Sequence, residues 1–325
     1  VAGTNGKGST VALLDALASR CGLTTSVYTS PHLFHFNERI RHHGRFVSDA
    51  DLCRAFAEVE HARGDVPLTY FEFTTLAAFW LFHDSPTHIH LLEVGLGGRL
   101  DAVNLLSADV AVITSIGLDH TEWLGDTRDA IGREKAGIAR AGRPLLYGER
   151  DMPPSIAVCA DEKGASLLRA GEAFGFDAVH KRLFWADHQV ALEQPVWLGE
   201  DNLATALAAL ACLDIRPDDA IIREVAATTR LPGRCELHYL DGCDWLFDVG
   251  HNREAIARVA SRLPAHAGRT LALCGMLADK PADAVLALRD KVDGWFVTDL
   301  PGPRGGGVAR FGDLLPDAEQ FNNPE

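Results

Sequence analysis

Short β-rich apolar runs recur along this chain, each followed by a stretch of helical periodicity. That alternation constrains the fold more than any other feature. Runs at 27–29, 89–94 and 110–115 read as buried strands. Between them, residues 9–21 set Leu13, Leu14, Leu17 and Cys21 on one helical face, with Gly22 as a stop signal. Residues 127–141 read as a helix ended by Gly142, and 201–214 as a buried Ala/Leu-rich helix. Strands that alternate with helices make βαβ units and a largely parallel sheet. Leu231-Pro232-Gly233 is a turn-forming break. After it the rhythm restarts, with strands at 245–248, 270–274 and 295–298 and helices at 253–263 and 281–292. The 325 residues, at about 150 per domain, fit two α/β domains, 1–231 and a smaller 232–325. The chain begins at Val1 inside a motif and stops at Asn323-Pro324-Glu325 after a helix start, so both ends are expected to be truncated.

That opening motif is Gly3-Thr4-Asn5-Gly6-Lys7-Gly8-Ser9-Thr10, directly ahead of the first helix. Glycines let backbone N–H groups converge on phosphate oxygens, the helix N-terminus adds positive potential, and Lys7 adds a full charge. It is a phosphate loop, but not of the common G-x-x-x-x-G-K-[ST] spacing. The first glycine stands only three residues before Gly6, and Gly8 separates Lys7 from Ser9. The usual kinase or GTPase reading is therefore disfavoured.

Three more segments follow predicted strands: Thr29-Ser30-Pro31-His32-Leu33, Glu93-Val94-Gly95-Leu96-Gly97-Gly98-Arg99-Leu100-Asp101, and Asp119-His120-Thr121-Glu122-Trp123-Leu124-Gly125. Ligands of open parallel sheets bind at the carboxyl ends of the strands, so the four loops are expected to face one crevice. Ser30, Glu93 and His120 are the metal candidates, because Mg²⁺ near phosphates takes oxygen ligands and keeps several waters. The imidazole is the least typical of them. Bland alternatives remain: Ser30 as a turn residue before Pro31, and His120 as a structural histidine. Glu93 ends an apolar strand, where an unpaired carboxylate is costly, which favours a cation partner. Lys135, in Arg133-Glu134-Lys135-Ala136-Gly137-Ile138, reads by composition as a solvated helix-surface lysine.

Composition narrows the function classes. Lys and Arg total 31 against 45 Asp and Glu, a net charge of −14. That balance argues against nucleic acid as a partner, while a local pocket for small anions stays compatible with it. Seven scattered cysteines (21, 53, 159, 212, 235, 243 and 274) with no C-x-x-C pair read as free thiols in a reducing, cytoplasmic compartment. No window approaches the about 18–20 apolar residues of a membrane span, and no signal peptide is visible.

Taken together, the strings resemble the dihydrofolate synthase/folylpolyglutamate synthase family of the Mur ligase superfamily. The resemblance covers nearly the whole chain. Its carriers are residues 3–10, 30–33, 37–39, 71–76, 91–104, 119–125, 134–138, 231–236, 247–252, 275–280 and 302–305. The strings at 275–280 and 302–305 look most like bacterial bifunctional members. The resemblance implies a Mur ligase central-type phosphate-loop domain followed by a smaller Rossmann-like domain. It implies an ATP-dependent amide ligase: ATP converts a carboxylate into an acyl phosphate, an amine attacks, and phosphate leaves. The acid is dihydropteroate or a folate already carrying glutamate, and the amine is L-glutamate. No protein nucleophile is needed, and a monomer is implied.

By resemblance, Asn5, Gly6, Lys7, Gly8 and Ser9 cradle the ATP phosphates, with Lys7 on the transferring group. Ser30 and Glu93 hold one Mg²⁺. His120 holds a second, and Lys135 matches a lysine that is carbamylated in the family and serves that second metal. Asn202, Arg234 and Asp248 match ATP contacts. His251 falls near where glutamate enters, with Asn252 beside it. Tyr70, Phe71, Glu72, Leu100, Asp101 and Ala102 match segments lining the pterin-side pocket. Plain alternatives stand beside three of these: strand packing for Phe71 and Phe73, which alternate with polar residues, a surface salt bridge for Arg234, and helix capping for Asp248. The chain also departs from the family pattern. Members carry a helical segment and a strand ahead of the loop, so this polypeptide is expected to be incomplete for folate binding. Val103 stands where a small or hydroxyl residue is usual. Two other readings remain open: a Mur-type ligase acting on a cell-wall precursor, and a non-catalytic nucleotide-binding module.

Overall fold

The computed structural model describes residues 1–263 and 268–322. The helix start read ahead of Asn323-Pro324-Glu325 is not there: residues 319–321 form a strand that extends a parallel sheet. The chain divides into two compact units, Val1–Leu231 and Pro232–Glu325.

The first unit opens with α1 (Lys7–Arg20) and β1 (Thr25–Tyr28), then β2 (Ile40–His42), β3 (Arg45–Phe46), α2 (Asp49–Arg63), α3 (Tyr70–Asp84) and β4 (Ile89–Leu92). These four strands form a sheet in the order β3-β2-β1-β4. β1 runs parallel to β4, with Val27 opposite Leu91, and antiparallel to β2. Next come β5 (Ala111–Ile113), α4 (Thr121–Leu124), α5 (Arg128–Ala136), β6 (Pro144–Tyr147), α6 (Pro154–Lys163) and β7 (Ser166–Arg169), and β5-β6-β7 form a parallel sheet. Residues 1 and 2 join the two sheets: the Val1 carbonyl accepts from Val94 N at 2.9 Å, and Ala2 bridges Ile113 in parallel.

The carboxyl ends of β1, β4, β5 and this first segment therefore lie side by side. Buried β-branched and aromatic residues explain the central strands, since all four residues of β1 (Thr-Ser-Val-Tyr) are buried. The apolar face of α1 packs Leu13, Leu14 and Leu17 into the main core with residues of α7 (Glu200–Ala211). No helix among the described residues is long and apolar enough to cross a membrane.

Three features depart from the sequence reading. The helix expected over 127–141 stops at Ala136. The loop of residues 98–99 presses against it: Arg99 N takes the Glu134 carbonyl at 2.8 Å, and a Cβ on Gly137 would stand 2.3 Å from Arg99 Cβ. The next turns tighten to i−3 bonds, Ile138 N to Lys135 O and Ala139 N to Ala136 O. Phe71 and Phe73 lie in α3, not in a strand. Thr69 caps that helix, accepting from Glu72 N while Glu72 Oε2 accepts from Thr69 N, a capping box that overrides the alternation. Finally, β8 (Phe174–Asp177), β9 (Arg182–Trp185) and β10 (His188–Ala191) make a separate antiparallel sheet that packs with α7 and α8 (Asp219–Thr228) into the main core.

The second unit holds an antiparallel hairpin of β11 (Glu236–Leu240) and β12 (Cys243–Phe247), then α9 (Arg253–Arg262) and a parallel sheet of β13 (Leu271–Cys274), β14 (Gly294–Thr298) and β15 (Glu319–Phe321). The helix expected over 281–292 is a ten-residue 3₁₀ segment, Ala282–Lys291, opened by an i−3 bond from Ala284 N to the Pro281 carbonyl. The core of this unit gathers Ile256, Met276, Val285, Val297 and Phe311.

Candidate active site

The phosphate loop sits at the carboxyl end of the segment that joins the two sheets, and β5 shapes it from the side. Thr4 N donates to the Ser115 carbonyl at 2.9 Å. Asn5 N donates to Ser115 Oγ at 2.8 Å, and Thr114 Oγ1 donates to the Asn5 carbonyl at 2.6 Å. Gly3 has φ +150°, and a Cβ there would lie 1.9 Å from Thr114 Oγ1, so no side chain fits. Gly6, at φ +86°, precedes α1, whose first turn carries no acidic residue and no side-chain cap. A helix N-terminus left open in this way suits an anion. On the far side stands Asn202 of α7, only 6% exposed: its Oδ1 accepts from Thr10 Oγ1 at 3.4 Å and its Nδ2 donates to the Leu198 carbonyl.

Two lysines converge on one carbonyl. Lys7 Nζ donates to Gly3 O at 2.9 Å, and Lys135 Nζ donates to the same oxygen at 3.1 Å. Lys135 is 5% exposed, which overturns its reading as a solvated surface lysine. It falls four residues after Ile131, on the face of α5 that also buries Gly132 and Ala136. Burial, and next the Lys7 charge, pull its pKa down to about 7, with Asp119 and Asp101 opposing.

Glu93, just past β4, is also buried, and its Oε2 accepts from Ser30 N at 3.3 Å. A Cβ on Gly8 would come 3.7 Å from the same oxygen. The Ser30–Glu93 pair thus lies against the phosphate loop. A carboxylate and a hydroxyl beside a phosphate loop are the hard oxygen donors that Mg²⁺ takes, so this donor set fits that cation. Among the described residues no group of three or more His, Cys, Asp or Glu side chains forms a metal cage; a cation here would lean on phosphate and water. His120 sits on the loop after β5 at φ +53°, its backbone N held by Asp119 Oδ1 at 2.9 Å.

The acid-side candidates divide. Phe71 lies under Gly95, whose added Cβ would meet its ring at 2.6 Å, and 5.9 Å from the Tyr28 ring. Tyr70 and Leu100 are exposed, at 61% and 79%, and Ala102 opens a short 3₁₀ turn, Ala102–Leu105. Asp101 and Glu72 serve the backbone. Asp101 accepts from Gly95 N, Leu96 N and Val103 N within 3.0 Å, and burial raises its pKa. Val103 is itself buried. In the second unit, Asp248 accepts from Cys235 N at 2.8 Å and from Gly250 N at 2.6 Å. It does not cap the following helix; Asn252 does, accepting from Ala255 N. Arg234 Nη1 donates to the Gly233 carbonyl, and His251 Nδ1 lies 2.9 Å from the Val249 carbonyl.

Sequence reasoning did not single out the Thr114-Ser115 pair. Two hydroxyls closing an apolar strand were the available signal, because such a strand end has no core role for them.

No protein-family model matches the chain. Individual proteins do. The chain is 43% identical over 328 residues to the dihydrofolate synthase/folylpolyglutamate synthase of Escherichia coli strain K12, covering 99% of this chain and 78% of that one. The solved E. coli FolC structure in complex with DHPP and ADP superposes with a TM-score of 0.93 at 42% identity, over 99% of this chain and 79% of the other. A bifunctional folylpolyglutamate synthase/dihydrofolate synthase with Mn, AMPPNP and L-glutamate bound gives 0.92 at 42% identity, over 99% and 80%. Fold and site together define an ATP-dependent carboxylate–amine ligase with the Mur ligase fold. More narrowly, the chain belongs to the dihydrofolate synthase/folylpolyglutamate synthase family.

Proposed function

We propose that this chain joins L-glutamate to dihydropteroate and to folyl(poly)glutamates, using ATP and Mg²⁺, through an acyl phosphate. The observation that carries the reading is the convergence of Lys7, the Ser30–Glu93 pair and the buried Lys135 around one phosphate loop. Solved relatives that hold ADP with DHPP, or AMPPNP with Mn and L-glutamate, support the substrate set. We place the reaction in the cytoplasm, in a single chain, with 1–231 as the ATP-binding domain and 232–325 as the C-terminal ligase domain.

The roles follow from the local chemistry. Backbone N–H groups of residues 5–9 and the open end of α1 bind the triphosphate, and Lys7 orients the transferring phosphoryl group and offsets its charge. Ser30 and Glu93 are the proposed holders of one Mg²⁺, and His120 with Lys135 of a second. The cation supplies charge neutralisation at the phosphate oxygens. An amine with a pKa of about 7 is about half neutral at pH 7. Neutral amine is the form that adds CO₂ and releases a proton, so the burial of Lys135 favours its conversion to a carbamate, an oxygen donor in place of a cation. Asn202 lies beside Gly6 and Thr10 and is proposed to contact ATP. Arg234 and Asp248 are proposed as further nucleotide contacts, and His251 as a glutamate contact, on their motifs alone. Phe71, Tyr70 and the loop carrying Leu100, Asp101 and Ala102 are proposed to line the pterin side.

Product analysis tests the reading. With MgATP and L-glutamate, dihydropteroate and tetrahydrofolate are each expected to gain one glutamate as ADP and phosphate appear. ATP binding with no glutamate-dependent phosphate release on either acid defeats it. Lys7→Ala and His120→Ala are each expected to cut kcat by about 10²-fold or more while the far-ultraviolet circular dichroism stays unchanged.

A further inference from the structure

Arg39 is a buried basic residue that the reaction as described leaves without work. It is 8% exposed. Its Nε donates to His32 Nδ1 at 2.8 Å, and its guanidinium lies 5.6 Å from the ring centroids of both Phe36 and Tyr70. Aromatic faces hold the plane of a guanidinium and leave its in-plane donor edge available. Among the described residues no carboxylate pairs with it, and those of the surrounding segments are engaged elsewhere, Asp49 by Asn37 Nδ2 among them. Glu38 is taken by the backbone N–H groups of Leu33, Phe34 and His35, Glu72 by Thr69 N, Asp101 by three further N–H groups, and Glu60 by Arg63. The terminal nitrogens of Arg39 are not among the buried unpartnered atoms, so the donor edge stays open to an anion while the rest of the side chain is covered.

Its position is informative. The Arg39 carbonyl accepts from Thr29 N at 2.8 Å, one residue before Ser30. Its guanidinium rests on Tyr70, in the segment proposed to line the acid substrate's pocket. Arg39 therefore ties the cation-holding loop to the acid side. The two proposed acids differ in one respect. Dihydropteroate carries a single carboxylate, the one that reacts. A folyl acid ends in a glutamate with two, of which one reacts and the other stays anionic.

The geometry points to Arg39, steadied by His32, as the receptor for the non-reacting carboxylate of a folyl substrate, and so as the residue that lets one site take folyl acids as well as dihydropteroate. This rests on the function proposed above. The fork of the guanidinium matches a carboxylate bidentately.

The test compares the two acids in the full chain. In Arg39→Gln, the ratio of kcat/KM for tetrahydrofolate to kcat/KM for dihydropteroate is expected to fall about 10- to 100-fold, the scale of one charge-assisted hydrogen-bonded contact, mostly through KM. Arg39→Lys keeps charge without the fork and falls between. His32→Ala lowers the same ratio by freeing the guanidinium. Should Arg39→Gln not fold, the lysine and His32 variants carry the measurement. Equal loss on both acids, or a rise in KM for L-glutamate, overturns the assignment. Calorimetric Kd values for tetrahydrofolate and dihydropteroate decide it separately: a selective loss of tetrahydrofolate affinity supports Arg39, and an unchanged one rejects it. A wild-type chain that turns over neither acid defeats the proposed function, while these affinities still judge Arg39.

Discussion

Residues here do chemistry where burial and charge disagree. Lys135 is a buried amine one residue from the end of α5, and composition gave no sign of it, because Arg133-Glu134-Lys135 looks like any solvated helix face. Its place four residues after Ile131 sets it on the face of α5 that packs inward, where residues 98–99 close over the backbone. Its pKa of about 7, against about 10.4 for a free lysine, has a consequence for stability. Between those values the unfolded chain binds the extra proton, so raising the pH favours the folded state. The burden of the buried charge is fully present below pH 7 and lifts as pH climbs towards the unfolded value. In bicarbonate-free buffer, urea unfolding from pH 7 to pH 9 is expected to show stability rising by up to about 1.4 kcal/mol per pH unit from this group. Lys135→Met removes that slope and is more stable than the wild type at pH 7. Identical pH slopes in the two proteins would show that the amine is not held in a dry site. Glu93 is the contrasting case. Its end-of-strand position made a buried carboxylate legible in advance, because an apolar run seldom ends in an acid without a reason.

Elements place these side chains through close backbone approaches that only glycine permits. A Cβ on Gly98 would stand 2.8 Å from the Lys135 carbonyl and 2.9 Å from that of Glu134. Neither is a flexible side-chain tip, so the helix itself must shift. Gly98→Ala is expected to lose about 1–3 kcal/mol in urea unfolding and to lower kcat by displacing Lys135; an alanine variant with wild-type stability and turnover would mean the loop moves instead. The sequence made the frame visible wherever one element suffices: the phosphate loop and α1, the strands that end shortly before Ser30, Glu93 and Ser115, and the break at Leu231-Pro232. It concealed what depends on two elements at once. The end of α5 is set by Arg99, and the antiparallel sheet of β8, β9 and β10 by packing against α7 and α8. The start of α3 was written locally, in Thr69 and Glu72, yet the alternation of Phe71 and Phe73 masked it. Arg39 was visible only as part of a family string. Its want of a counter-ion appears once Glu38, Glu60, Glu72 and Asp101 are each seen to be engaged.

At the scale of the molecule, the two units are built on unequal cores. Among the largest fully buried side chains, Tyr28, Tyr147, Phe174, Leu13, Leu17 and Ile131 belong to the first unit, and Phe311 alone belongs to the second. The first unit buries its apolar faces in three clusters beneath α1 and α7, around β5 and β6, and between α2 and α3. The second relies on one, in which Phe311 packs with Ile256, Met276, Val285 and Val297. Hydrophobic stabilisation scales with the apolar area removed from water, so the second unit is the weaker. Scanning calorimetry is expected to show two transitions, the smaller at lower temperature. Phe311→Ala costs about 3–5 kcal/mol for a buried aromatic, which moves the lower transition down on the order of 10 °C or more and leaves the upper one in place. A single transition that Phe311→Ala shifts as a whole would show instead that the units unfold as one, with the core around Phe311 contributing to the stability of the phosphate loop.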